Sequence, residues 1–151
     1  MTNVGWTWHR FTDLPPATLY AILELRSRIF VVEQNCVFLD MDGADSVCEH
    51  LCGFDENNQL LAYLRLVPPG VKCVEPSLGR LVVAQDARRH GLARRAIELG
   101  LERLSERYPN QTIRIGGQRY METFYSSMGF VATGEPYLED GIPHVEMLRK
   151  L

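Results

Sequence analysis

Residues 88–95, with the sequence RRHGLARR, bring four arginines and a histidine together around one glycine. Arginine offers a positive charge and a fork of N–H donors whose geometry matches that of a phosphate group. Glycine lets the backbone approach a bulky ligand closely and adopt conformations that other residues avoid. The cluster can therefore bind an anion such as a phosphate. Two other interpretations stay open, namely a solvated helix face and a patch that binds nucleic acid.

The elements predicted on either side of this cluster help to distinguish the three interpretations. An apolar run that ends near Ala84 predicts a buried strand, and a helical pattern begins near Gly91. The first amide groups of a helix have no partner inside the helix, and the helix dipole attracts an anion to them. Neither the G-K-[ST] of a Walker loop nor a G-x-G-x-x-G dinucleotide motif is present. Ion pairs such as Arg95 with Glu98 would instead give the solvated face.

The rest of the chain predicts one α/β domain, residues 1–151, with a central mixed sheet and helices packed on it. Strands and helices follow the order β-α-β-β-β-α-β-α-β-β, and the strand–helix–strand succession implies parallel neighbours. We expect Thr12 or Asp13 to cap the first helix. The predicted helices cover 12–34, 91–108 and 120–129, and the predicted strands cover 5–11, 49–55, 59–67, 77–84, 111–117, 130–135 and 144–150.

Composition narrows the class of protein. The chain has 151 residues and a formal net charge of -3, so any site for nucleic acid would have to be a local basic one. We expect no secretory signal and no membrane span, because no basic leader precedes an apolar segment and no apolar run is long enough. The four cysteines form no C-x-x-C pair, which favours reduced thiols in a cytoplasmic protein.

Two further groups of residues have types that bind metals. Cys48, His50 and Cys52 alternate, so on a strand they share one face and offer three soft ligands for zinc. The sequence has no second ligand cluster, so we favour buried thiols and predict no metal. The segment DMDGAD, residues 40–45, lacks the terminal glutamate of a calcium loop and is interpreted as an acidic loop.

Several motifs, taken in order, resemble those of the GCN5-related N-acetyltransferases, the GNAT family. RRHGLA at 88–93 matches the signature Q/R-x-x-G-x-G/A and lies, as in the family, between a strand and a helix. FYSSMGF at 124–130 resembles the family segment F-Y-x-x-x-G-F. The element order resembles the family's fold over nearly the whole chain. Other segments resemble the ElaA-like branch, namely RSRIFVVEQNC at 26–36, DMDG at 40–43, GRLVV at 79–83 and EDGIPHVEM at 139–147.

The resemblance implies the acyl-CoA N-acyltransferase fold, a mixed, mostly antiparallel twisted sheet flanked by helices, with two parallel strands splayed apart at the cofactor site. It implies acetyl-CoA as cosubstrate and no metal. The diphosphate would bind backbone N–H groups from Arg89 to Ala93, and the pantetheine arm would pair with the backbone of residues 81–83. The residues implied for acetyl-CoA are Leu81, Val82, Val83, Arg88, Arg89, His90, Gly91, Leu92, Ala93, Arg94, Gln118 and Phe124.

The implied reaction is direct transfer of the acetyl group to an amine. A lysine-like amine has a pKa of about 10.4, so it must lose a proton before it attacks the thioester. The resemblance implies that a backbone N–H near Val82 binds the oxygen of the tetrahedral intermediate, and that Tyr125 is the general acid for the leaving thiolate. The base that deprotonates the amine is either a water relay or one of four residues, Glu33, His50, Asp140 and His144. Of these four, Glu33 and His144 are our catalytic candidates.

The expected partner is a small molecule or peptide that carries an amine, with no nucleic acid and no membrane. The acidic loop at 40–45, together with Glu33, would border the acceptor pocket and attract a cationic amine. A non-catalytic domain that binds or senses coenzyme A is the alternative function. Nucleic-acid binding is a further alternative, which the net charge disfavours. A homodimer is the commonest oligomeric state for a small enzyme.

Overall fold

Seven strands and three α-helices follow one another in the computed structural model, which describes residues 3–151. Their order is the predicted one, and the α/β class is confirmed. A π-helical segment, Ser27–Glu33, continues the first helix. The strands are β1 (Gly5–Arg10), β2 (Glu49–Phe54), β3 (Leu60–Val67), β4 (Ser77–Val83), β5 (Thr112–Gln118), β6 (Val131–Glu139) and β7 (Ile142–Lys150). The helices are α1 (Pro16–Arg26), α2 (Leu92–Arg107) and α3 (Glu122–Ser126).

The strands form two antiparallel sheets with helices on both faces of the first. This first sheet has the order β1-β2-β3-β4, and the second has the order β5-β7-β6. Every residue of β3 is buried. Leu64 belongs to the apolar core shared with α2, and its neighbour Tyr63 belongs to the core shared with α1. Because successive side chains of a strand point to opposite faces, β3 supports both helices at once.

The two sheets meet where β4 and β5 begin and separate where these strands end. The backbone N–H of Arg114 donates to the carbonyl oxygen of Pro76 at 3.1 Å, next to the start of both strands. No ladder joins β4 to β5 within residues 3–151. Both strands run in the same direction away from this contact, so the predicted pair of splayed parallel strands is confirmed. The opening faces the carboxyl ends of β4 and β5.

Helix α2 approaches the first sheet closely because it carries a glycine at the contact. A Cβ atom on Gly100 would lie 2.8 Å from Leu64 Cδ2 and 3.0 Å from Leu78 Cδ1. Such contacts are shorter than packed side chains tolerate, so a larger residue would push the helix outward. The close packing fixes where α2 begins relative to the end of β4.

The first helix begins later than predicted. Thr12 and Asp13 lie in a 3-10 turn, and α1 begins at Pro16 with Pro15 as its N-cap residue. A residue before proline is disfavoured in the helical conformation, and Pro15 is accordingly extended. Two successive prolines therefore exclude the earlier start, and the capping prediction was wrong.

The last two strands are longer than predicted. Residues 137–143 were expected to form a turn-rich connection, but β6 and β7 continue to a two-residue turn at Asp140 and Gly141. Both turn residues have positive φ, 51° and 78°, as a tight hairpin of this twist requires. The Asp-Gly dipeptide was the signal for this turn. The longer hairpin brings Glu139 and His144 toward the opening between β4 and β5.

The residues considered as metal ligands have other partners. His50 is buried, and its ring nitrogens lie 2.6 Å from Tyr63 Oη and 2.9 Å from the carbonyl oxygen of Asp45. Cys48 donates to the carbonyl oxygen of Ala44 at 3.2 Å. All four cysteines are free thiols, and in the described part of the chain no three potential ligands come together. No helix within residues 3–151 is long and apolar enough to span a membrane.

The acidic loop is paired with arginines inside the protein instead of bordering a pocket. Arg26, whose side chain is fully buried, lies 2.8 Å from a carboxylate oxygen of Asp40 and 2.8 Å from one of Asp45. These contacts connect the loop to the end of α1. We call the whole set the arginine–aspartate network; its members are Arg26, Arg65 and Arg80 with Asp40, Asp42 and Asp45.

Asp42 connects the network to β3. Two guanidinium nitrogens of Arg65 contact it at 2.8 and 2.9 Å, and the ammonium group of Lys72 contacts it at 3.0 Å. Burial by itself would raise the pKa of the Asp42 carboxyl group. The hydrogen bonds from Arg65, Ala44 and Lys72 outweigh burial and hold this pKa well below its ordinary value. The charged form of Asp42 is thus strongly favoured in the folded protein.

We therefore predict that Asp42→Asn lowers the free energy of unfolding by about 3 kcal/mol at pH 7, because it leaves Arg65 incompletely paired. A carboxyl pKa that is lower in the folded than in the unfolded state stabilises the protein above the unfolded value of about 3.9. This contribution is lost as the pH falls through the folded value. The difference between variant and wild type should therefore shrink between pH 7 and pH 3 in urea denaturation.

Asp13→Asn is the matched control, since Asp13 pairs with Arg10 at 3.0 Å on an exposed surface. Surface pairs contribute about 0–1 kcal/mol, so this variant should unfold almost like the wild type at both pH values. An Asp42→Asn effect of equal size at pH 7 and pH 3 would contradict the assigned role of the ionised carboxylate.

Candidate active site

The separation of β4 from β5 opens a cavity of about 600 Å³. Four parts of the chain line it: the carboxyl half of β4, the turn that leads into α2, the carboxyl half of β5 with α3, and the end of the π-helical segment. The β6–β7 turn closes one side through Asp140 and His144. One cavity therefore collects residues that are far apart in the sequence.

The turn into α2 presents free backbone donors to this cavity. Gly91 is the N-cap residue, with φ of 76°, and no side chain caps the helix. Arg89 also has a positive φ, 69°. The N–H groups of the first turn of this 16-residue helix therefore have no partners in the part of the chain that the structure describes, and the helix dipole makes them attractive to an anion. Left-handed residues in such turns form anion-binding concavities. We call residues 88–94 the anion loop.

Strand β4 contains a bulge beside the cavity. Val82 pairs with Tyr63, but Gly79 pairs with Arg65, so that Arg80 and Leu81 together face the single residue Leu64. Arg80 adopts φ of 53°, a left-handed conformation that is rare for residues with a side chain. A bulge leaves its extra residue unpaired and bends the strand. The bulge therefore changes the direction of β4 directly before Val82.

Arg88 and Glu33, predicted for two separate roles, contact each other across the cavity. A guanidinium nitrogen of Arg88 lies 2.8 Å from a carboxylate oxygen of Glu33, and Arg88 Nε donates to the carbonyl oxygen of Val83. Both side chains are about one-third exposed, 38% and 33%. The ion pair thus connects the anion loop to the end of the π-helical segment and engages both charged groups.

The two remaining arginines of the RRHGLARR segment take different positions, as expected from the sequence. Arg94 lines the cavity, donates to Ser127 Oγ at 2.8 Å, and lies over the Phe124 ring at 5.6 Å. Arg95 pairs with Glu98 at 3.3 Å on the solvent side of α2. Arg94 therefore lies at the cavity as the last residue of the anion loop, and Arg95 forms part of a solvated helix face.

Tyr125 lies against β5, and its hydroxyl group has no hydrogen-bond partner among residues 3–151. A Cβ atom on Gly117 would lie 3.0 Å from the Tyr125 ring, so the glycine makes room for the ring against the strand. Phe124 and Phe130 meet the ring edge-on, with centroid distances of 5.2 and 5.8 Å. Burial raises the pKa of Tyr125 to about 12. The phenol is therefore protonated at neutral pH and can donate a hydrogen bond.

His144 presents one ring nitrogen toward the acidic turn. Its Nδ1 atom lies 2.7 Å from the carbonyl oxygen of Ile142, so Nδ1 carries the hydrogen that is donated there. The Nε2 atom lies 3.4 Å from a carboxylate oxygen of Glu139, and the ring stacks on Tyr137. A neutral imidazole in this tautomer has its lone pair on Nε2 and can accept a proton there.

Nearly all of the predicted site residues come together in this cavity. His90 does not line it and is exposed, although its neighbours on both sides do. His50 is also outside the cavity, since its hydrogen bonds hold it in the core beside Tyr63. The predicted residues that line the cavity are Glu33, Leu81, Val82, Val83, Arg88, Arg89, Gly91, Leu92, Ala93, Arg94, Gln118, Phe124, Tyr125, Asp140 and His144.

Sequence reasoning missed several residues of the cavity wall. Gln34 accepts a hydrogen bond from Gln118 at 3.2 Å and so connects the π-helical segment to β5. Cys36 donates to the carbonyl oxygen of Asp140, and Phe38 lies below the Arg80 guanidinium. One signal in the sequence could have pointed to this part of the wall, because Arg80 interrupts the apolar run LGRLVV. A charge in such a run requires a buried partner, which the acidic loop supplies.

Comparisons with known proteins agree with this arrangement. A family model for the acetyltransferase (GNAT) domain matches residues 44–151. Protein ElaA of Escherichia coli is 33% identical over 150 residues, covering 98% of this chain and 97% of ElaA. A UPF0039 protein of Synechocystis sp. is 37% identical over 146 residues, covering 97% of this chain and 95% of that protein.

Solved structures agree with the fold over almost the whole chain. An acyl-CoA N-acyltransferase from Pseudomonas aeruginosa has a TM-score of 0.91 at 37% identity, with 97% of this chain and 99% of that chain covered. The crystal structure of Escherichia coli ElaA has a TM-score of 0.90 at 33% identity, with the same coverage of 97% and 99%. The chain therefore belongs to the GNAT acetyltransferase family, in the branch that contains ElaA and UPF0039 proteins.

Proposed function

We propose that this protein transfers an acetyl group from acetyl-CoA to a primary amine by direct attack, with Tyr125 as the general acid. The observation that carries the proposal is the cavity between β4 and β5, which has free helix amides at one end and a protonated phenol beside it. Members of the GNAT family use acyl-CoA and act on amines. Acetyl as the acyl group and Tyr125 as the acid are our own assignments.

The anion loop fits the diphosphate of coenzyme A. The free N–H groups between Arg89 and Ala93 supply donors, and the open space beside Gly91 leaves room for a phosphate close to the backbone. Arg94 adds a positive charge at the same place. Arg88 is held by Glu33, so its contribution would require a change of partner. A phosphate at the start of a long helix is a common arrangement.

The edge of β4 fits the pantetheine arm. Leu81, Val82 and Val83 line the cavity, and β5 does not pair with this edge of β4 within residues 3–151. Pantetheine contains two amide groups in an extended chain, so it can pair with the backbone of β4 as a further strand would. The side chain of Val82 is buried in the core, and Val82 pairs with Tyr63 on β3.

In the proposed reaction the amine nitrogen attacks the thioester carbonyl carbon, forming the N–C bond and a tetrahedral intermediate. A backbone N–H near Val82, beside the bulge, donates a hydrogen bond to the oxygen of this intermediate. The C–S bond then breaks, the carbonyl group reforms, and the sulfur takes the electron pair. Tyr125 donates its proton to this sulfur and regains one from solvent, and the nitrogen releases its second proton to solvent as the amide forms. The products are the acetylated amine and coenzyme A as the free thiol.

His144 is the better candidate for the base that removes the amine proton. His144 lines the cavity with Nε2 3.4 Å from the exposed Glu139 carboxylate, whereas the Glu33 carboxylate is engaged by Arg88 at 2.8 Å. The imidazole takes one proton from the ammonium form of the acceptor and returns it to solvent. Asp140 and Glu139 lie beside it on the same turn and give this end of the cavity a negative charge that suits a cationic acceptor.

We predict that Tyr125→Phe lowers kcat for acetyl transfer by about 100-fold, because the leaving thiolate loses its proton donor. The dissociation constant for coenzyme A should change less than threefold, since the ring and its packing remain. Release of free thiol in the presence of amines measures the first quantity, and calorimetric titration measures the second. Tyr20→Phe is the control, an exposed phenol on α1 that does not line the cavity. Wild-type turnover in Tyr125→Phe would exclude the acid role.

We predict that Gly91→Glu abolishes coenzyme A binding without unfolding the protein. The new carboxylate would extend from the open space beside Gly91 and repel the diphosphate. Gly70→Glu is the matched control, because Gly70 also has a positive φ and open space around it but lies outside the cavity. Arg95→Ala should leave binding almost unchanged. Calorimetric titration and thermal denaturation of all three variants provide the measurement; equal binding by Gly91→Glu and Gly70→Glu would place the diphosphate elsewhere.

We predict that His144→Asn lowers kcat/KM by about 100-fold at pH 7, and that the loss shrinks toward pH 10. An asparagine amide can still donate to the Ile142 carbonyl oxygen but cannot accept the amine proton as Nε2 does. Above the amine pKa of about 10.4 the acceptor is already neutral and needs no base. Profiles of kcat/KM against pH for wild type, His144→Asn and Glu33→Gln measure this. A pH-independent loss in His144→Asn would exclude the base role.

A further inference from the structure

We infer that Arg80 is a positioning residue: its contacts with Asp40 hold the bulge of β4 in the shape that places the backbone near Val82 for acetyl transfer. The inference rests on the proposed function. It concerns residues that touch the reaction only through the backbone. Three features of the structure support it, namely the conformation of Arg80, the contacts of its guanidinium group, and the fixed position of the carboxylate that it contacts.

The conformation of Arg80 is the first observation. A φ of 53° in the middle of a strand is unfavourable for any residue with a Cβ atom, and glycine would be the usual choice at such a bulge. Such a conformation persists only when the surroundings determine it. An arginine at this position therefore implies that its side chain is held by contacts strong enough to maintain the backbone.

Most of those contacts come from one residue of the acidic loop, Asp40. Arg80 Nε lies 2.8 Å from Asp40 Oδ1 as an ion pair without hydrogen-bond geometry, and its Nη2 atom donates to the Asp40 backbone carbonyl oxygen at 2.8 Å. Asp42 lies 3.4 Å from the same Nη2 atom, and the Phe38 ring lies on one face of the guanidinium group. The carboxylate and the backbone carbonyl oxygen of Asp40 thus hold the guanidinium group at two points, one by charge and one by a hydrogen bond.

Asp40 can serve as a fixed anchor because it is itself held in the core. Its other carboxylate oxygen lies 2.8 Å from Nε of Arg26, and both side chains are almost completely buried. Arg26 in turn contacts Asp45, which also contacts Arg65 on β3. A buried network of ion pairs resists displacement, since each charged group would lose its opposite charge if it moved.

The bulge that Arg80 maintains lies where the reaction needs it. The pairing of β3 with β4 changes register between Gly79 and Val82, so the conformation of Arg80 sets the direction of the backbone at Leu81 and Val82. A displacement of this backbone would misplace the N–H that faces the intermediate. Catalysis is sensitive to shifts of about 1 Å in such groups. Affinity for the distant diphosphate would not depend on the same N–H.

Arg80→Ala and Arg80→Gly together test this inference. Both variants lack the guanidinium group, and they leave Asp40 paired with Arg26. Only glycine adopts the left-handed conformation without strain. We expect Arg80→Ala to lower kcat by about tenfold or more, with the dissociation constant for coenzyme A within threefold of wild type. Arg80→Gly should keep kcat within about threefold.

A second measurement does not depend on activity. In ¹H–¹⁵N spectra, the backbone amide resonances of Leu81 and Val82 should shift more in Arg80→Ala than in Arg80→Gly. Equal losses of kcat in the two variants together with equal amide shifts would overturn the inference, because the guanidinium group itself would then be responsible. If the wild-type protein transfers no acetyl group to any amine, the proposed function fails, while the amide shifts still decide whether Arg80 holds the bulge.

Asp40→Asn, alone and combined with Arg80→Gly, tests whether Asp40 acts on the site through Arg80. In the wild-type background we expect it to lower kcat, since it weakens the ion pair with Arg80. In the Arg80→Gly background it should have no further effect on kcat, although thermal denaturation should show a loss of stability in both backgrounds. Additive losses of kcat in the double variant would contradict the inference, because Asp40 would then act on the site by another route.

Discussion

The separation of β4 from β5 is the constraint on which the rest of this structure depends. Parallel neighbours normally satisfy each other's N–H and C=O groups, yet here the backbone contact at Pro76 and Arg114 is not followed by a ladder. Backbone groups without partners are costly in an apolar interior. The protein keeps them at the wall of an open cavity, where an extended ligand with amide groups can pair with them. The site is therefore defined by backbone hydrogen bonding as much as by side chains.

The distribution of charge follows from the same opening. The carboxylates of the acidic loop are neutralised by Arg26, Arg65 and Arg80 within the protein, so they do not reduce the positive potential at the anion loop. At the cavity rim Glu33 holds Arg88, which leaves Arg94 and the helix amides as the groups available to an anion. Further negative charge lies on the β6–β7 turn, whose Glu139 and Asp140 also line the cavity. The cavity wall thus carries free helix amides and an arginine in one segment and carboxylates in another.

Local patterns were sufficient to predict much of this arrangement. Gly91 between a buried strand and an amphipathic helix identified the anion loop, because the position of free helix amides depends only on where the helix begins. The order of strands and helices followed from periodicity in the same way. The Thr12 or Asp13 cap failed for a local reason, the two prolines that follow. The other failures depended on long-range contacts, because β6 and β7 are extended by their mutual pairing and His50 is held in the core by Tyr63.

The sequence by itself determined the fold class, the family and the position of the anion loop, since each of these depends on residues that are close together in the chain. Only the tertiary structure decided the partners of the charged groups. Glu33 and Arg88 are distant in the sequence, as are Asp40 and Arg80, and nothing in local spacing assigns one carboxylate to one guanidinium group. Packing of the acidic loop against β4 made that assignment. The acidic loop, which we expected to attract the acceptor, instead contacts Arg80 in the bulge beside Val82.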